Sequence, residues 1–178
     1  TSNALATLVV RPDPDAEKLG AVGLDDAGRI RRLVHVGRKE AGPRTFMFTG
    51  VHVIDPALHE HLPESGCIVR ATYCPLVRDQ AALFGYADPG YFCDLGTPER
   101  YVAASEELVT GSVSFPGVTP TPTGAFVAQG AQLDDGCRIG AGAVIGEGCH
   151  LTSDAHVERA VLLPGARVSG PVRDAVVM

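Results

Sequence analysis

The stretch Tyr91-Phe92-Cys93-Asp94-Leu95-Gly96-Thr97-Pro98-Glu99-Arg100-Tyr101 gathers residues whose types and spacing could do chemistry. Thr97 suits a helix N-cap, Pro98 the first helical turn, and Glu99 the positive end of the helix dipole. Tyr101, Ala104, Leu108 and Val109 then form a helical stripe that Gly111 ends. A strand over residues 90–93 would leave Asp94 at a strand end, just before a helix N-terminus. A carboxylate there can hold a hard divalent cation, and the nearby amides can face a phosphate. A plain cap or surface aspartate fits the same pattern, so the motif alone leaves its chemistry open.

Two other groups of reactive side chains are weaker. Cys67, Cys74, Cys93, Cys137 and Cys149 form no CxxC pair and are odd in number, which reads as buried thiols in a reducing, cytoplasmic setting. His150 and His156 fall in turns of a repeat. A hexapeptide acyltransferase would need a histidine on a loop that interrupts that repeat, and the repeat runs on unbroken past both.

The elements that must position these residues are short. Residues 5–10 read as a buried strand closed by Arg11-Pro12-Asp13-Pro14, and 21–24 with 30–36 as a hairpin around Asp25-Asp26-Ala27-Gly28. Residues 46–54 make another strand. Asp55 then caps a short helix with Pro56 at its first position. Further strands are expected at 82–86 and 90–93.

From Val127 onward a branched aliphatic residue returns every sixth position: Val127, Leu133, Ile139, Ile145, Leu151, Val157 and Leu163. Two residues before each stands Ala125, Ala131, Cys137, Ala143, Cys149, Ala155 or Val161. A six-residue period fits neither a helix nor an alternating strand; it means one short strand and one turn per repeat, stacked so that each coil buries its neighbour's column. The period predicts a left-handed parallel β-helix over 120–178, closing where the spacing shortens to five at Val168. Residues 1–111 read as an α/β piece with a mixed sheet, joined to it by a linker at 112–119.

Composition excludes several classes. With 45% apolar and 20% charged residues the chain is a folded globular sequence, and Gly and Pro together make about a fifth of it, favouring turns over long helices. The net charge is −6 and no basic run forms, which argues against a nucleic-acid partner. No apolar stretch approaches the roughly 20 residues of a bilayer span.

Together, Ala6-Thr7-Leu8-Val9-Val10 with Lys18-Leu19-Gly20-Ala21-Val22, Asp25-Asp26-Ala27-Gly28-Arg29-Ile30, Phe48-Thr49-Gly50-Val51-His52, and the 91–101 motif resemble the sugar-phosphate nucleotidyltransferases, especially bacterial proteins of the mannose-1-phosphate guanylyltransferase type. The hexapeptide repeat after the last motif strengthens the likeness. The resemblance implies a nucleoside triphosphate and a sugar 1-phosphate as substrates, Mg²⁺ as cofactor with Asp94 as a ligand, and a homo-oligomer. It implies that Gly20 lets the sugar approach the backbone and that Thr49 and Gly50 line the sugar pocket. This chain departs from the pattern in three places. The glycine-rich nucleotide loop with its basic residue is absent, together with the second metal-binding aspartate. The acidic-Lys-Pro motif is replaced by Gly37-Arg38-Lys39-Glu40-Ala41, which leaves Lys39, or Arg38 beside it, as the phosphate contact. Phe92 stands where tryptophan is common. The expectation is a C-terminal fragment, inactive alone, with Leu8, Val9 and Val10 left as an open sheet edge. A non-catalytic subunit of the same family and a hexapeptide acyltransferase are the alternatives.

Overall fold

The computed structural model describes residues 3–37 and 45–178. The chain divides into two compact units, Thr1–Phe92 and Cys93–Met178.

The first unit is a mixed six-stranded sheet. In chain order its elements are β1 (Ala6–Pro12), α1 (Ala16–Leu19), β2 (Val22–Leu24), β3 (Ile30–Leu33), β4 (Val36–Gly37), β5 (Thr45–Ile54), α2 (Cys74–Arg78) and β6 (Leu83–Ala87). The strands lie in the order β4-β3-β2-β5-β1-β6, and only β1 and β6 run parallel. The expected strand over 30–36 is broken at Val34, whose φ of 56° turns β3 into β4. Asp55 caps the next turn as expected, its Oδ1 accepting from the Ala57 amide at 2.9 Å, but that turn is a 3₁₀ helix, Pro56–His61. Residues 90–93, expected as a strand, have no ladder partner among the described residues. The expected elements do not include the helical run of Val69–Tyr73 and α2; its Tyr73, Leu76 and Val77 share one buried core with Leu8, Val10, Val22 and Leu33.

β1 is not an edge. Its Leu8 pairs with His52 on one side and Gly85 on the other, so the strand expected to be open is enclosed by β5 and β6. The outer side of β6 is in turn met by the β2–β3 turn, where the Gly85 amide donates to the Gly28 carbonyl at 2.9 Å and Arg29 bridges Phe84. Asp25 holds that turn together, accepting from the Ala27 and Arg29 amides and from Arg31 Nε at 2.7 Å.

The second unit begins with α3 (Pro98–Thr110) and continues into β7 (Phe126–Val127), β8 (Gln132–Leu133), β9 (Arg138–Ile139), β10 (Val144–Ile145), β11 (His150–Leu151), β12 (His156–Leu162), β13 (Arg167–Val168) and β14 (Pro171–Val177). All pairings in it are parallel. Val144 pairs with Phe126, eighteen residues back, and with Val161, seventeen on; Val161 pairs with Val176, fifteen further. Each circuit of the chain therefore touches three ladders. The long strands β12 and β14 bend at Arg159 and Asp174 to serve two of them.

The inward column follows the six-residue reading as far as Val157. Ile145, Leu151 and Val157 are fully buried, whereas Val127 and Leu133 are 40% and 43% exposed because no earlier coil lies over them. Beyond Val157 the structure departs from expectation. Leu162, not Leu163, faces Ile145 in register, and Ala160 and Ala166 take the small slot two residues before Leu162 and Val168. The spacing thus shortens to five at Arg159, one repeat earlier than expected.

Strand alternation turns the residue between the small and branched positions outward. Every third such residue is apolar: Phe126, Val144, Val161 and Val176. Helix α3 packs across β10, β12 and β14, and outward Val161 is only 2% exposed. The buried residues of α3 are Val102, Ala104 and Val109; of the expected stripe, Ala104 and Val109 pack inward, and Val102 takes the place expected for Tyr101 and Leu108.

Candidate functional site

Each unit carries part of the expected chemistry. In the first, β1 and β5 fall out of register between Leu8 and Val10, which pair with His52 and Phe48. Thr49, Gly50 and Val51 therefore stand opposite Val9 alone. This is a β-bulge, a device that re-aims side chains beside functional sites. Thr49 Oγ1 closes it, donating to the Val9 carbonyl at 2.9 Å and accepting from the Val51 amide at 3.3 Å. Gly50 has φ 88°, is exposed, and has nothing within 4 Å of where a Cβ would sit. Gly20 follows α1 in a left-handed conformation, φ 101°, and a Cβ there would meet Val34 Cγ2 at 3.6 Å. Backbone conformation thus demands glycine at both positions. Lys39 lies outside the described residues.

Beside the bulge stands a polar contact that sequence reasoning missed. The buried Tyr73 hydroxyl is 3.0 Å from His52 Nδ1, and the His52 ring stacks on Phe48 at 6.0 Å. Burial pushes the Tyr73 phenol above its ordinary value. At the end of β1, the Arg11 guanidinium lies 5.9 Å from the Phe92 ring centre, and its Nη1 donates to the Gly90 carbonyl at 3.2 Å. The ring of Phe92 thus carries a cation–π partner on the same unit. Arg11 Nη1 also donates to the Phe92 carbonyl at 3.4 Å, tying the irregular 90–92 segment to the end of β1.

In the second unit Asp94 precedes α3 as expected. Thr97 caps the helix, its Oγ1 accepting from the Arg100 amide at 3.3 Å, and Pro98 and Glu99 fill the first turn. The Asp94 carboxylate is 62% exposed and pairs with Arg100 Nη1 at 3.0 Å. A Cβ on Gly96 would lie 3.3 Å from Asp94 Oδ1, so glycine leaves the space into which the carboxylate folds. With Arg100 on Oδ2, this exposed carboxylate could offer a hard cation one ligand oxygen. Among the described residues no three His, Cys, Asp or Glu side chains cluster to complete a cage.

His150 sits on β11 rather than in a turn. Its Nε2 is 3.0 Å from Asp134 Oδ1, and Arg167 Nη2 is 2.9 Å from its Nδ1, so both ring nitrogens are engaged. Such a histidine is not the free, loop-borne base of an acyltransferase. Of the cysteines, Cys149 is buried in the inward column and Cys137 lies partly buried beside it. Cys67 is exposed, and the amides of Arg70 and then Val69 hold its thiol below the ordinary value. No helix among the described residues is long and apolar enough to cross a membrane.

Comparison with known proteins returns one activity. The chain is 26% identical over 157 residues to the mannose-1-phosphate guanylyltransferase of Mycobacterium tuberculosis, covering 86% of this chain and 43% of that protein. Its distant relatives are mannose-1-phosphate guanylyltransferases. Two from Oryza sativa subsp. japonica, named probable mannose-1-phosphate guanylyltransferases 3 and 1, are 23% and 24% identical over 170 residues, 92% of this chain and 46% of each. The chain spans less than half the length of the curated relatives it matches. No family model matches it.

Proposed function

We propose that this chain is the C-terminal part of a nucleotidyltransferase of the mannose-1-phosphate guanylyltransferase type. The carrying observation is a similarity that runs through 86% to 92% of the chain and leads to relatives of that one name. The bulge at Thr49 and Gly50 and the capped helix after Asp94 fit it. In the reaction, a phosphate oxygen of the sugar 1-phosphate forms a bond to the α-phosphorus of the nucleoside triphosphate, the bond from that phosphorus to the bridging oxygen breaks, and pyrophosphate leaves. Positioning and charge neutralisation dominate such transfers. Thr49 and Gly50 would line the sugar site, and Gly20 would let the sugar reach the backbone. Lys39 would meet a phosphate, and Asp94 would hold Mg²⁺. A divalent cation there supplies charge neutralisation on the phosphates. The six-residue period and the parallel coils support a left-handed β-helix for the second unit; the whole protein would be a homo-oligomer.

The test is pyrophosphate release from GTP and mannose 1-phosphate by the complete enzyme. Asp94→Asn should lower turnover by orders of magnitude without changing the melting temperature. Near-normal turnover would remove Asp94 from the site, and a wild-type enzyme inert with every nucleotide and sugar 1-phosphate tried would overturn the proposal itself.

A further inference from the structure

In the coil, the residue before each small inward position, Asp154 before Ala155 excepted, sits at a corner with left-handed backbone. Gly124, Gly130, Gly136, Gly142, Gly148 and Gly165 all have positive φ there. Two of these left-handed corners are not glycine: Arg159 has φ 45° and Asp174 has φ 51°, and they stack in neighbouring coils, since Glu158 pairs with Arg173 and Ala160 with Ala175. Side chains other than glycine, asparagine or aspartate rarely take this conformation. Arg159 must therefore owe its place to its side chain. Its Nε donates to Asp174 Oδ1 at 2.8 Å, and its Nη1 to both carboxylate oxygens of Glu106, at 2.8 and 3.2 Å. Glu106 lies on α3. The corner below is shaped for the same contact: a Cβ on Gly142 would lie 3.1 Å from Glu106 Cγ and 3.3 Å from Arg159 Cα.

We infer that Arg159 is a positioning residue that fixes the register of α3 on the coil, and through it the first turn and the Asp94 loop. The apolar contact under Val102 and Val109 holds α3 against the ladders but specifies its rotation and sliding poorly. The two-oxygen contact with Glu106 specifies both. The coil is then the platform on which the candidate metal ligand is aimed. This inference rests on the assignment of Asp94 made above. The mutual effects agree with it: hydrogen bonding to Asp174 and the charge of Glu106 raise the Arg159 guanidinium, and Arg159 lowers the Asp174 carboxyl.

Arg159→Gly tests it, because glycine suits the corner and the coil should fold. In the isotope-labelled 178-residue chain, α3 amide exchange should accelerate at least tenfold, while amides of β10 and β11 keep their protection. Glu106→Gln should do the same and Arg159→Lys should restore most of the protection. Added Mn²⁺ should broaden the resonances of residues 94–100 in the wild type and do so several-fold less in Arg159→Gly. Unchanged α3 exchange in both Arg159→Gly and Glu106→Gln would overturn the inference, as would Mn²⁺ broadening that is equal in Arg159→Gly and wild type. If Asp94→Asn broadens like the wild type while α3 exchange responds as expected, the tether stands but the aiming of a metal ligand is overturned with the assignment of Asp94.

Discussion

The two units solve burial in opposite ways. In the first, each core residue has its own partners, drawn from far along the chain: β1 lies between β5 and β6, and Tyr73 reaches β5 from a helical segment. In the second, one position is repeated. Ile145 is buried because Val127 and Leu162 occupy equivalent places in the coils on either side. A core of unlike partners tolerates a loss according to what each residue alone touches. A column tolerates it according to how many coils cover the position.

That contrast is sharpest in the column itself. Ile145→Ala should cost about 2–5 kcal/mol in denaturant unfolding, the usual range for truncating a buried Ile. Leu133→Ala, in the uncovered first coil, should cost about 1 kcal/mol or less. Equal costs would mean that the first coil is covered in solution. The corners come next. Gly142→Ala combines left-handed backbone with a crowded Cβ and should lose about 1–3 kcal/mol, against about 1 kcal/mol for Gly50→Ala in the bulge, where space is open. In the first unit Tyr73→Phe should lose about 1 kcal/mol, the worth of its bond to His52, with no change in the protection of β10 or β11. A change there would show that the two cores are not separate.

The smallest effect is on pH. Burial opposes ionisation of Asp25, but the Arg29 amide, Arg31 and the Ala27 amide outweigh it and hold the carboxyl below its ordinary value. Arg159 does the same for Asp174. Carboxyls lowered on folding add stability that is complete above the ordinary aspartate range and is lost as pH falls through their folded values. Melting temperature should therefore fall below about pH 4, and Asp25→Asn and Asp174→Asn should each flatten that fall slightly. An unchanged profile in both would deny the two carboxyls this role.

The coil was legible because repetition states one residue's environment several times; Ile145 and Leu151 needed no knowledge of the rest of the fold. The shortening at Arg159 was missed because Val161 and Leu163 keep an apolar pattern going one residue out of phase. Its outward signal, apolar residues at 126, 144, 161 and 176, has a period of three strands and emerges only when the chain is read in circuits. The first unit was less legible. Its strands announced themselves through β-branched and aromatic residues, but α2 carries Cys74 and Pro75 and has no long amphipathic period. Thr49 and Gly50 were found by resemblance, while the bulge that singles them out depends on a register that only the partner strand sets. His52 could have been suspected, since a histidine within an apolar strand needs a partner, but nothing local names Tyr73.

The unequal circuits also govern how this architecture can change over time. Between Gly124 and Val157 one turn of the chain takes eighteen residues, so a duplicated or deleted block of that size returns every side chain to its own ladder. A block of six would hand each column to the next face and bring Gln132 or Arg138 beneath α3. Past Arg159 the circuits shrink to seventeen and then fifteen. Lengthening by copying is therefore open to the early coils and closed to the late ones, where a copied block would no longer mesh with its neighbours.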